Sequence, residues 1–305
     1  MSKQRCLVRA VLGMLAIGLL LCSVPQAQAQ SDIEKALQSM SGKNGEGYLQ
    51  PAVDLLGANM NSGYYHSASI SRLGFHIEFD IVGMGSLVGD KQKTFNAQTP
   101  AGFTPATAKT VTLFGETGTE VANTTLPGTS YRFPDGVFKT SFFPFVVPQL
   151  TVGNVIGTQA VVRFVPLPKI EEMIPKTTLF AFGLRHSINQ WLPLLPLDVA
   201  VSGFWSSFTV EGFLDCKGFS VGAQASKDFS VLTVYGGLAY ESSTMSAEYE
   251  CTVLGTTTPV KLDLTGANTV RFTAGVALNL AVFRLFADLN VGSVTAFSAG
   301  LGFGG

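Results

Sequence analysis

Charge is scarce in this chain. Asp, Glu, Lys and Arg make up only 13% of its 305 residues, about half the usual share of a soluble domain. The formal net charge is −1, and the first 29 residues hold three basic residues and no acids, so the remainder carries about −4. Nucleic acid wants a basic face, and that balance argues against it as a partner. Histidine is scarcer still: His66, His76 and His186 are the only three, and they offer no metal-ligand spacing. Walker-type and dinucleotide-binding glycine patterns are missing, so no cofactor is expected. After residue 30 no run of 18 apolar residues occurs, which excludes a transmembrane helix there.

Apolar residues are plentiful: 46% of the chain, with a mean hydropathy of +0.32. The N-terminus places Lys3, Arg5 and Arg9 before a short apolar core, Ala10 to Cys22, and ends it with Ala27-Gln28-Ala29. That is the layout of a secretory signal peptide cleaved after Ala29. The apolar core is too short to span a bilayer as an anchor, and Leu21 before Cys22 is too large for a lipoprotein signal.

Residues 31–62 read as two short helices. Ser31 and Asp32 can cap the first, Gly-rich SGKNGEG follows, and Pro51 opens the second. In the second, Val53, Leu56 and Met60 fall on one helical face. The segment 30–66 is expected to be a lumen plug or a periplasmic tail, with residues 67–305 forming the main domain.

From residue 70 the period changes to two. Phe75, Ile77, Phe79 and Ile81 alternate with His76, Glu78 and Asp80, so one face of a strand is apolar and the other ionises. Residues 177–187, 197–205, 230–241, 270–280 and 283–290 alternate likewise, opposing apolar residues to small or polar ones. A soluble sandwich has shorter strands and more surface charge; an exported, charge-poor chain with strands of about ten residues fits an outer-membrane β-barrel. The expected fold is all-β: a transmembrane antiparallel barrel of about twelve strands (range 10–14) with a short N-terminal helical segment. Counting strands back from a C-terminus at the inner face puts 211–217 and 241–268 outside. Cys216 and Cys251 then share the outer side, and an oxidising compartment invites a disulfide between them.

The polar faces name the candidate lumen residues: His76, Glu78 and Asp80 from the first strand, and Arg163, Arg185, Arg271, Arg284 and Asp288 from later ones. Lumen charges pair across the interior, brace a plug or line a pore. Pro144 and Pro148 interrupt the apolar run SFFPFVVPQLTVG; proline breaks a ladder, leaving either a side opening or a turn resting in the interface. Trp191, in QWLPLLPL, reads as an interface anchor. No catalytic residue is expected, since the neighbours in His66-Ser67 and His186-Ser187 point to opposite strand faces.

The order of GYLQPAVDLLGANMNSGYY (47–65), PQLTVGNVIGTQAVVRFVPLP (148–168) and FGLRHSINQWLPLLPLDVA (182–200) resembles an uncharacterised family of bacterial outer-membrane barrel proteins. That resemblance implies fold and location only. The chain is also loosely similar to outer-membrane long-chain fatty-acid transporters, which have an N-terminal plug and a kinked strand that opens sideways. It is shorter than they are, and its Phe303 is followed by two glycines where barrels usually end on an aromatic. Two functions are therefore expected as alternatives. One is a plugged or selective passage in the outer membrane for small or hydrophobic solutes, with membrane lipid and a hydrophobic small molecule as partners. The other is a structural or adhesive barrel whose outer loops bind partners.

Overall fold

The computed structural model describes residues 32, 36–37, 40, 42–168, 176–192, 194–253 and 256–304. Helix α1 (Lys43–Met60) comes first, followed by strand β1 (His76–Leu87). Next come a single helical turn, α2 (Asp90–Lys93), and five short strands: β2 (Thr94–Gln98), β3 (Phe103–Thr104), β4 (Thr107–Val111), β5 (Glu120–Asn123) and β6 (Ser130–Arg132). The long strands are β7 (Phe142–Val155), β8 (Thr158–Leu167), β9 (Thr177–Ser187), β10 (Asp198–Val210), β11 (Leu214–Phe229), β12 (Leu232–Val253), β13 (Thr256–Thr265), β14 (Val270–Leu280), β15 (Phe283–Val291) and β16 (Thr295–Gly304).

The ring runs β11-β10-β9-β8-β7-β1-β16-β15-β14-β12 and closes through β11–β12, with every pair antiparallel. It is a closed ten-stranded barrel, with β13 added to the outer part of β12. The number lies at the lower end of the expected range, below twelve. The wall is two staves short of twelve because residues around 106–126 form strands in two small sheets, β2–β4 and β3–β5–β6, between β1 and β7. Their alternating pattern is local, and nothing in it says which sheet they join. Both Pro144 and Pro148 lie inside the single strand β7.

Period-two patterning sets the faces. Phe79, Phe182, Trp205, Phe272, Leu285 and Leu301 are exposed on the outside, whereas Asp80, Gln149, Arg163, Ser206 and Gln224 are buried within. The turns after β7, β11 and β14 span two residues each, and the opposite end carries residues 88–141 and the β12–β13 hairpin. An outer-membrane barrel would carry its short turns at the inner end, and by that naming β1 starts at the inner end and β16 finishes there.

The cysteine expectation is corrected. Cys216 is a free, buried thiol. Its cross-strand partner is Met245, six residues short of Cys251 on β12. At about 3.3 Å per residue that is roughly 20 Å, and a disulfide needs Cα atoms within about 7 Å. Both cysteines lie toward the outer end, but the register keeps them apart.

The helical segment also differs from the expectation. α1 begins in the Gly-rich stretch and runs through Pro51 without a break. Proline costs a helix one hydrogen bond and crowds the carbonyl four residues back, here that of Gly47. Of the other expected helix only Asp32, Ala36, Leu37 and Met40 lie within the described residues.

Candidate functional site: the filled lumen

A ten-stranded barrel has a narrow interior, and here residues 43–70 occupy it. α1 fills the outer half. Leu49, Val53, Leu56 and Met60 are buried in one apolar cluster with Met245, Ala247, Tyr249, Leu262 and Leu264 of the β12–β13 wall. Gly57 allows the closest approach: a Cβ there would lie 2.1 Å from the Ser243 hydroxyl oxygen. Polar ties fix the helix along its length. Gln50 Nε2 donates to the Thr265 carbonyl at 2.8 Å, and Asn59 Nδ2 to that of Phe143 at 2.9 Å. Asp54 Oδ1 accepts from Gln50 Nε2 and from the Ala267 N–H, each at 2.9 Å. Burial pushes the Asp54 carboxyl above its usual range, and these two donors pull it back. Over the helix sits the 88–141 segment, with Leu113, Phe114 and Phe138 in or against the same cluster. In that segment Asp135 accepts from the Gly118 N–H at 2.8 Å, and this bond holds its carboxyl below the ordinary value.

The inner half is filled by extended chain. After the turn at Gly63 (φ 69°), where a Cβ would meet Val82 at 2.7 Å, Tyr64, Tyr65 and His66 follow down the lumen. The Tyr64 ring stacks on Phe204 at 4.1 Å, with the Arg163 guanidinium 3.7 Å from its centroid. Arg163 Nη2 donates to the Ser62 carbonyl at 2.9 Å and its Nε to Gln149 at 2.9 Å. Gln149 in turn donates to Asp80 at 3.2 Å. Arg185 donates to the Ser67 carbonyl and to Gln159. The plug is thus pinned by its backbone to two wall arginines.

The remaining candidates pair among themselves. His66 Nε2 and His76 Nε2 lie 3.2 and 3.3 Å from the Glu78 carboxylate, which also holds Arg284. Arg271 meets Glu241 at 2.6 Å. Asp288 accepts from the Tyr235 hydroxyl at 3.0 Å, and Tyr235 packs on Tyr65. All eight sequence candidates therefore face the interior, and Val53, Leu56 and Met60 are buried in the plug contact. Sequence reading missed Gln149, Glu241, Tyr64 and Tyr235. Glu241 lay inside a stretch taken partly for a loop, Tyr64 precedes the first clear strand, and Tyr235 stands on the buried face of β12.

His66, Glu78 and Asp80 bring one ligand-type atom each within 4.8 Å of one another. The cation at this spot is the Arg284 guanidinium, already on Glu78, so the cluster is an ion-pair knot joining the plug to β1 and β15.

Among solved structures, the chain resembles the attachment invasion locus protein Ail of Yersinia pestis at 11% identity, covering 75% of this chain and 97% of that one, with a TM-score of 0.24. It also resembles the translocator domain of the autotransporter NalP from Neisseria meningitidis at 12% identity, covering 86% and 94%, with a TM-score of 0.26. No curated protein matches the sequence. Residues 5–305 match the family model described as a family of unknown function, DUF6588, and the chain belongs to that family.

Proposed function

We propose that this protein is exported on a cleaved N-terminal signal and lodges in the outer membrane. There it passes small hydrophobic molecules between its outer half and the bilayer, sideways through the seam between β7 and β8. A belt of exposed Phe, Leu, Val and Trp side chains around the ring supports the location, because such a belt needs lipid. An axial pore is disfavoured by the filled lumen.

The observation that carries the sideways route is the seam. β7 pairs with β1 along its length from Phe142 to Gly153, and β8 pairs with β9 from Thr158 to Leu167. Between β7 and β8, register pairs stop at Gln149–Arg163, although both strands run on outward. Continuing that register would set Pro148 against Phe164 and Val146 against Pro166. A residue in an antiparallel ladder turns its N–H and C=O to the same neighbour. Since β7 stays in register with β1 through both of its prolines, their nitrogens face β8, and by the same logic the Pro166 nitrogen faces β7. The edges that would zip the seam shut are therefore the ones deprived of donors. On the lumen side, Phe145, Val147, Val165 and Leu179 give an apolar lining.

Pro148→Val with Pro166→Val restores two donors at the seam. In cells making this variant, uptake of the small hydrophobic dye N-phenylnaphthylamine is expected to fall to the rate of cells without the protein. Uptake equal to that of the wild type sinks the seam route. An adhesive role is the second reading. It is favoured by the two small outer sheets, which have their own apolar cluster of Ala97, Ala108, Val121 and Phe133. Loss of cell binding on trimming 94–132, with dye uptake intact, would favour it.

A further inference from the structure

We infer that the inner rim of the barrel is sunk in the inner leaflet of the membrane, its turn tips among phospholipid acyl chains and glycerol groups instead of in water. The inference rests on the reading of the chain as a bilayer-spanning barrel and adds where that barrel ends.

The inner turns are the evidence. Two-residue hairpin turns in water favour Asn-Gly, Asp-Gly or Gly-X, because their first position needs a positive φ. Here the three first positions are Ile156 (φ 52°), Ser230 (φ 59°) and Ala281 (φ 56°), none of them glycine. Ile156 is β-branched, the side-chain type least suited to that backbone. Val231 and Val282 take the second positions of the latter two turns. Each tip carries a non-glycine residue at positive φ and at least one apolar side chain, Ile156, Val231 or Ala281 with Val282, beside Gly157 and Ser230 in the other positions, and the recurrence points to a shared surrounding. The longer inner connection, 188–197, agrees: Trp191 is 70% exposed and Leu194 96%. So does the chain leading into β1, where Leu73 and Phe75 are each 77% exposed. Two charges beside the β11–β12 turn are tied to neighbours, Lys227 Nζ donating to the Pro196 carbonyl and Asp228 accepting from Thr233, while Arg72 beside the Ile156–Gly157 turn stays exposed.

Lipid is the occupant because the outward columns of β12, β14 and β15 run apolar to the rim; the outward column of β11 carries one charge there, Lys227. On β14 the outward column from Val270 to Leu280 spans ten steps of about 3.3 Å. Tilted by about 40° it covers roughly 25 Å, the height of a barrel's apolar band. The tip residues Ala281 and Val282 then follow with no charged residue between.

The chain has two tryptophans, which makes the test direct. Trp205→Phe leaves Trp191 at the rim, and Trp191→Phe leaves Trp205 in the belt. Each folded, heat-modifiable variant is placed in phosphatidylcholine vesicles with or without bromine near the glycerol end of the acyl chains. Trp191 emission is expected to lose at least half its intensity to the bromolipid and little to acrylamide. Quenching by acrylamide alone overturns the inference, since the rim is then in water. Quenching by neither also overturns it, since a second copy then covers the rim. If Trp205 also escapes the bromolipid, the barrel reading itself fails. Leu194→Cys carrying an environment-sensitive dye, with Cys216 and Cys251 changed to Ser, gives the same reading should the tryptophan variants misfold: blue-shifted emission supports the inference and water-like emission overturns it.

Discussion

The two halves of the lumen are filled by consecutive stretches of one segment, by different means. In the outer half, α1 meets the wall through Leu49, Val53, Leu56 and Met60, apolar contacts with a few hydrogen bonds at the margins. In the inner half, Ser62 and Ser67 give backbone carbonyls to the buried guanidiniums of Arg163 and Arg185, and His66 joins the Glu78–Arg284 pair. Apolar packing is non-directional and tolerates small shifts of a helix. Charge-assisted hydrogen bonds in a dry interior are directional, and breaking them strands a charge. The inner half therefore sets the register of the plug, and the outer half supplies its bulk.

Arg163→Ala is the largest expected break in that contrast. It removes the tie to Ser62, the contact with Tyr64 and the donor to Gln149 at once. Losing one member of a buried charged network costs about 3–5 kcal/mol. Chymotrypsin should then cut after Tyr64 or Tyr65, within residues 61–70, while the strand signal in circular dichroism persists. If those residues stay as protected as in the wild type, the inner half does not depend on the arginine.

Leu56→Ala should cost less, about 2–4 kcal/mol for a truncated core leucine. The readout is the thermal midpoint of the folded, heat-modifiable form, with residues 61–70 still protected from chymotrypsin. Protection lost there to the same degree as in Arg163→Ala would erase the distinction between the halves.

Asp54→Asn is the smallest. Its oxygen can still accept from Gln50 and Ala267, and burial has raised the native carboxyl's pKa. A raised native pKa means stability present below the unfolded value, about 3.9, and lost as pH rises through the native one. The variant should therefore be slightly more stable than the wild type at neutral pH, and the two should converge below about pH 4. A wild type more stable than the variant at neutral pH would show that the ionised carboxylate is favoured there.

Much of the wall was legible because a strand repeats every two residues: β9, β10, β14, β15 and β16 fall where alternation put them, and His76, Glu78 and Asp80 face inward. Pattern says less about partners. The strands near 106–126 alternate but pair locally, and Cys216 and Cys251 share an end of the barrel while the register separates them. α1 begins in glycines that propensity assigns to a loop, because burial against β12 and β13 outweighs propensity. The arginine ties were illegible for a plainer reason: their acceptors are main-chain carbonyls at Ser62 and Ser67, and a carbonyl leaves no mark in a sequence. The seam was visible as prolines at 144 and 148, but its meaning needed β8, where Pro166 faces the same gap.

The central claim is that the lumen is occupied end to end, so that the barrel is no axial pore. Planar-bilayer conductance of the purified, heat-modifiable protein tests it most directly. The account expects current at the lipid background for the wild type, with steps appearing in Arg163→Ala. Stable, porin-sized steps from the wild type would contradict it.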